Sequence, residues 1–113
     1  MKSEYHVLFW ASSNGSKPVA KWIKSLPRED QIYLGDLLQD LAMDGPHSNR
    51  KIFKPIESDL WEIRDLRSHS SGFRIYFGFK NNTVVCLVVN AGDKKSQQRD
   101  IEIAKKRLNR EEV

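Results

Sequence analysis

Arg64 in LWEIRDL, Arg74 in GFRIYFGF, and the adjacent Lys94 and Lys95 in NAGDKKSQ are the side chains best suited to chemistry. Each arginine stands in a strand-like segment, and Tyr76 lies two residues beyond Arg74. The lysines come just after TVVCLVVN, the most apolar run, at Thr83–Asn90. A phosphodiester would suit such a set. Arginine grips phosphate with two parallel hydrogen bonds, lysine supplies a point charge, and tyrosine offers a stacking face to a base. The same cations can stabilise the extra negative charge of a phosphorane-like transition state. A plainer reading stands beside this one, in which Glu62 and Arg64 pair with neighbouring strands and the lysines keep a loop soluble.

Other chemistries find little support. The chain has no glycine-rich phosphate loop, no CxxC and no HExxH. Its three histidines, His6, His47 and His69, share no local spacing, so no metal and no cofactor is expected. The single Cys86 sits in the apolar run, which points to a packing role and a reducing, cytoplasmic setting. With 39% hydrophobic and 30% charged residues, the chain reads as globular, and no apolar run approaches the length of a membrane helix. The N-terminal apolar patch alternates with polar residues and reads as a strand rather than a signal peptide. The net charge of +4 is concentrated towards the C-terminal end, where residues 91–110 carry seven basic and three acidic side chains. That placement suits an acidic or nucleic-acid partner without demanding one.

The elements that must position these cations follow from periodicity. Glu4–Trp10 predicts a strand, broken by SSNGSKP. Ser16 is a candidate cap for a helix with Pro18 in its first turn and Val19, Trp22, Ile23 and Leu26 on one face. Pro27 ends that helix and opens a second, with Leu34, Leu37, Leu38 and Leu41, stopped at Gly45-Pro46. Lys51–Ile56, Leu60–Leu66, Phe73–Phe79 and Thr83–Asn90 read as strands with short connections, hence an antiparallel meander. Phe73, Ile75, Phe77 and Phe79 point to a helix layer, which leaves Arg74, Tyr76 and Gly78 on a more solvated face. The unbroken apolar character of Thr83–Asn90 predicts a central strand covered on both faces. Ile101, Ala104 and Leu108 give a last helix, with Ser96 as its candidate cap. The expected fold is α+β in a single domain, 1–113: an N-terminal strand and helical hairpin on a small, mostly antiparallel sheet, with a C-terminal helix.

The stretches LWEIRDLRSHSSGFRIYFGF and VVCLVVNAGDKKSQQRDIEIAKKRL resemble the RelE/ParE toxin superfamily, most closely its HigB-like (phage Gp49-like) and addiction-module killer branches. NGSKPVAKWIKSLP and the leucine-rich second helix sit where that family has its helical hairpin, so the resemblance covers nearly the whole chain. It implies a RelE-like fold and a toxin of a type II toxin–antitoxin system. Such toxins enter the ribosome and cleave mRNA without a metal, using the RNA 2′-hydroxyl as nucleophile. A small helix-turn-helix antitoxin of the HigA/Xre kind is the implied partner, with ribosome and mRNA as target.

Carried over by motif, Arg74, Lys94 and Lys95 take the catalytic roles of charge stabilisation, phosphate binding and leaving-group stabilisation. Arg64, Lys51, Lys54, Tyr76 and Arg67 make up the implied RNA-binding set. Many RelE-like nucleases carry a Tyr, His or carboxylate near the C-terminus, whereas KKRLNREEV has no Tyr or His. Acid–base work therefore falls to a lysine, Asp93, His69 or the ribosome, unless catalysis is weak. Two alternatives share the fold: a ParE-like gyrase poison without RNase activity, and an inactive relative that only binds antitoxin.

Overall fold

The computed structural model describes residues 5–57, 59–67, 72–80 and 84–109. In chain order the elements are β1 (His6–Phe9), α1 (Pro18–Lys24), α2 (Arg28–Asp44), β2 (Phe53–Glu57), β3 (Leu60–Arg64), β4 (Arg74–Phe79), β5 (Val85–Gly92) and α3 (Gln97–Asn109). The strands form one sheet in the order β1-β5-β4-β3-β2. The last four pair antiparallel as the short connections predict, and β1 adds to β5 in parallel, so the sheet is mixed. The α+β architecture read from the sequence is the one that forms.

The helical hairpin covers one face. Val19 from α1 and Leu34, Leu37 and Leu41 from α2 bury against Phe53, Ile63, Ile75, Phe77, Cys86 and Val88. A fully buried leucine or valine contributes about 1.5–3 kcal/mol relative to exposure, which is why this leucine-spaced pair of short helices can stay docked. Pro27 stands at the N-cap of α2, as its fixed φ favours, and the first turn carries Glu29 and Asp30 against the positive helix end. Ser16 does not cap α1, whose N-cap is Lys17 without a side-chain bond. Asn14 instead draws the loop together, its Oδ1 accepting from the Ser12 hydroxyl and the Ser16 amide.

The other face departs from expectation. Arg74, Tyr76 and Gly78 do not meet solvent, because α3 packs there: Ala104, with Ile101 and Leu108 beside it, closes over Leu60, Tyr76, Leu87 and Val89. An amphipathic last helix must bury its stripe somewhere, and the hairpin already occupies the first face. A β-bulge helps. Tyr76 pairs with Asn90 and Phe77 with Val88, leaving Val89 as the extra residue of β5. The bulge directs Val89 and Asn90 both at α3. Arg107 then donates to the Val89 carbonyl (2.9 Å) and the Asn90 Oδ1 (3.2 Å), while the Asn90 amide donates to the Asp100 carbonyl (2.9 Å).

Candidate functional site

Register decides the site. Arg64 lies directly opposite Arg74, and Glu62 opposite Tyr76, on the face under α3. Lys54 on the edge strand pairs with Glu62 in turn, and Gly92 pairs with Arg74. Two arginines side by side on a ladder repel one another. Glu62 relieves this by giving one oxygen to each: Oε2 stands 3.2 Å from Arg64 Nη2, and Oε1 stands 3.5 Å from Arg74 Nε. The second distance is a charge contact rather than a hydrogen bond, and among the described residues neither Glu62 Oε1 nor Arg74 Nε has a hydrogen-bond partner.

Arg74 is 9% exposed, so its guanidinium is held inside the fold with one edge donating to the Gly72 and Phe73 carbonyls (3.1 and 3.4 Å). Gly72 brings the lysine turn to it. At φ +74° it takes a left-handed conformation, and a Cβ there would stand 3.1 Å from the Lys94 Cβ and 3.7 Å from Arg74 Nη1. The Lys94 stem and the Arg74 guanidinium thus share the space over Gly72.

The turn that carries the lysines is built from its own residues. Asp93 caps a short 3-10 turn, Lys94–Ser96, that runs directly into α3: its Oδ1 accepts from the Lys95 and Ser96 amides at 2.9 and 3.2 Å. Ser96 instead donates to Asp100 Oδ2, and that pair fills the space over Gly92. A side chain at Gly92 would collide with the Asp100 carboxylate and come within 2.8 Å of Ser96 Oγ. Lys94 and Lys95 stay exposed beside a groove of about 510 Å³ between β2 and α3, walled also by Ile56, Gln97, Gln98 and Ile101. Asp93 has its Oδ1 occupied by backbone amides, and His69 lies outside the described residues.

The remaining sequence candidates separate. Lys54 shares the row of Glu62, and Lys51 is exposed in the turn leading into β2. Tyr76 is 0% exposed and offers no stacking face to a base, a correction that follows from α3 lying over it. Burial, then the Glu62 and Asp100 carboxylates, push its phenol well above the ordinary value, so the hydroxyl keeps its proton. Arg67 belongs to a different neighbourhood: it forms a two-pronged pair with Asp65, reaches Asp30 of α2 at 2.9 Å, and stacks on the Tyr33 ring at 4.1 Å. Its charge is already balanced by two carboxylates.

Sequence reasoning missed Glu62 as the hub between the arginines, although its two-residue spacing from Arg64 signals a shared face. It also missed the Ser96–Asp100 pair, for which four-residue helical spacing was the available signal. Among the described residues, no group of three or more metal-ligating side chains forms. The triad of Arg64, Arg74 and Glu62 carries a net charge of +1, and Lys94 adds another beside it. What this arrangement can do is bind and polarise a phosphate.

The profile of the phage-derived Gp49-like protein family matches residues 21–109. A solved structure of the E. coli toxin RelE, an arginine-to-alanine double mutant in the free state, superposes with a TM-score of 0.66. It covers 92% of this chain and 97% of that one at 18% sequence identity, which shows a shared fold. No curated protein matches the sequence.

Proposed function

This chain belongs to the phage-derived Gp49-like family, and from that premise we propose that it is the toxin of a type II toxin–antitoxin pair and a ribosome-dependent endoribonuclease acting on mRNA in the cytoplasm. The observation that carries the reading is the convergence of Arg74, Arg64 and Lys94 at one end of the sheet, on a fold shared with the toxin RelE.

In the proposed reaction the RNA 2′-hydroxyl gives up its proton to water and its oxygen attacks the adjacent phosphorus, while the P–O5′ bond breaks and the departing 5′-oxygen takes up a proton. The products are a 2′,3′-cyclic phosphate and a 5′-hydroxyl. Arg74 and Arg64 bind the non-bridging oxygens as their charge grows, which is where fixed cations lower the barrier most. Glu62 acts as a positioning residue that holds the two guanidinium groups side by side. Lys94 serves the departing 5′-oxygen, as charge partner or proton donor, and Lys95 and Lys54 hold neighbouring phosphates. A helix-turn-helix antitoxin of the HigA/Xre kind that covers this basic end would silence it.

The test is expression of the chain alone, with transcripts mapped by primer extension. Growth should stop with cuts in ribosome-bound mRNA. Lys94→Ala should lower cleavage roughly 100-fold or more while leaving the melting temperature unchanged, since Lys94 is exposed and removing one electrostatic donor costs that much. Arg74→Ala is a poorer probe than Lys94→Ala, because it strands Glu62 inside the fold. Intact transcripts in arrested cells, with gyrase supercoiling blocked instead, would refute the nuclease reading.

A further inference from the structure

On the hairpin side of the edge strand lies a second concavity, of about 560 Å³ and apart from the arginine–lysine cluster. Its walls include Pro46, His47, Arg50, Phe53, Lys54 and Trp61. Every ionisable side chain lining it is basic, whereas the groove beside Lys94 also contains Glu57 and Glu102. Arg50 and Lys54 make no side-chain ion pair or hydrogen bond among the described residues. Their charge is therefore not spent on the fold.

The aromatic wall is fixed from behind, since Trp61 is only partly buried and packs against the core through Phe77 and Phe79. Trp61 stacks on Phe77 with its ring 26° from parallel, and exposed His47 meets it edge-on at 5.5 Å. The loop that brings His47 and Arg50 here is held by its own hydrogen bonds. The Ser48 hydroxyl donates to the Gly45 carbonyl (2.7 Å), the Phe53 amide to the Asn49 carbonyl (2.9 Å), and the Lys51 amide to Asn49 Oδ1 (3.1 Å). The pocket is thus largely pre-formed, and its volume lies within the roughly 300–1,000 Å³ of small-molecule sites. An aromatic wall rimmed only by cations fits a planar ring carrying an anion.

We infer that this pocket takes a nucleotide of the RNA strand, its base against Trp61 and His47 and its phosphate against Arg50, with Lys54 on the edge strand between this pocket and the row of Glu62. The inference rests on the reading of the chain as acting on RNA. Lys54 links the two sites: it lines this pocket, and its strand position is opposite Glu62. From β2 to β4 is two strand spacings, about 10 Å, so one strand of RNA crossing the edge of the sheet reaches both. The pocket anchors the RNA at a distance from the scissile phosphate.

The test is an NMR titration of the full chain with AMP and with a 2′-O-methyl RNA oligonucleotide, which cannot be cut. The Trp61 indole and His47 ring resonances should shift and saturate. Arg50→Ala should weaken the oligonucleotide about tenfold or more, the loss of one charge-assisted contact. Lys21→Ala, an exposed lysine on α1, should leave it unchanged. Still resonances, an equal effect of both substitutions, or a response to an acidic peptide but to neither nucleotide would overturn the inference. Cleavage without a nucleotide signal sinks the pocket and spares the nuclease; a signal without cleavage does the reverse.

Discussion

Glu62→Gln is the perturbation that most directly tests the charge arrangement at the end of the sheet. The glutamate side chain is 5% exposed and faces Arg74, itself 10% exposed, so this half of the triad is poorly screened. Removing one partner of such a pair costs about 3–5 kcal/mol, because the other charge stays buried without compensation. The half facing Arg64 is different: that side chain is 35% exposed, and its share is about 0–1 kcal/mol. Glutamine keeps the shape and can still accept one hydrogen bond, which returns about 1 kcal/mol. The net loss is then about 2–5 kcal/mol. For a chain of this length about 4 °C accompanies each kcal/mol, so the melting temperature should fall by about 8–20 °C. Urea melts at neutral pH measure the loss, with an unchanged slope showing that two-state behaviour survives. High salt should leave most of it in place. The double variant Glu62→Gln/Arg74→Met should recover at least half, since it removes the stranded charge as well as its partner. A single variant within about 1 kcal/mol of wild type, or losses that simply add in the double variant, would refute the reasoning.

Gly92→Ala places a methyl group against the Asp100 carboxylate and Ser96 Oγ, where it must push the lysine turn away from the sheet. It should cost about 1–3 kcal/mol and lower cleavage further than stability alone explains; a wild-type melt would show that the turn yields freely. Cys86 is buried, and that burial raises its thiol from 9.0 to about 11. It should resist alkylation in the native protein at mildly alkaline pH and react only on unfolding. Because the unfolded thiol ionises first, its contribution to stability should be intact below about pH 9 and be lost as pH rises towards 11. A Cys86→Ala variant with the same alkaline decline would exclude this thiol as the cause.

The elements were legible because their signals are local. Leucines at three- and four-residue spacing, Pro18, Pro27 and Gly45-Pro46 mark the hairpin whichever surface it later meets. The alternation in Phe73–Phe79 likewise tells which side chains share a face. It does not tell what covers that face, and so Tyr76 and Arg74 read as solvated although α3 lies over them. The side-chain period of a strand is two, whichever partner it takes, so register is a matter of fit between strands. That fit set Arg64 opposite Arg74 and made Glu62 necessary between them. It also separated Arg67, which left the cluster for Asp65 and Asp30. Nor does any local pattern join His47 and Arg50 to Trp61; only the docking of the hairpin on the sheet does so. Sequence by itself determined the kinds of residue available and the elements bearing them. Which cations stand together, and which are already neutralised, was decided by the tertiary structure, because Coulomb energies depend on distances that no spacing along a chain specifies.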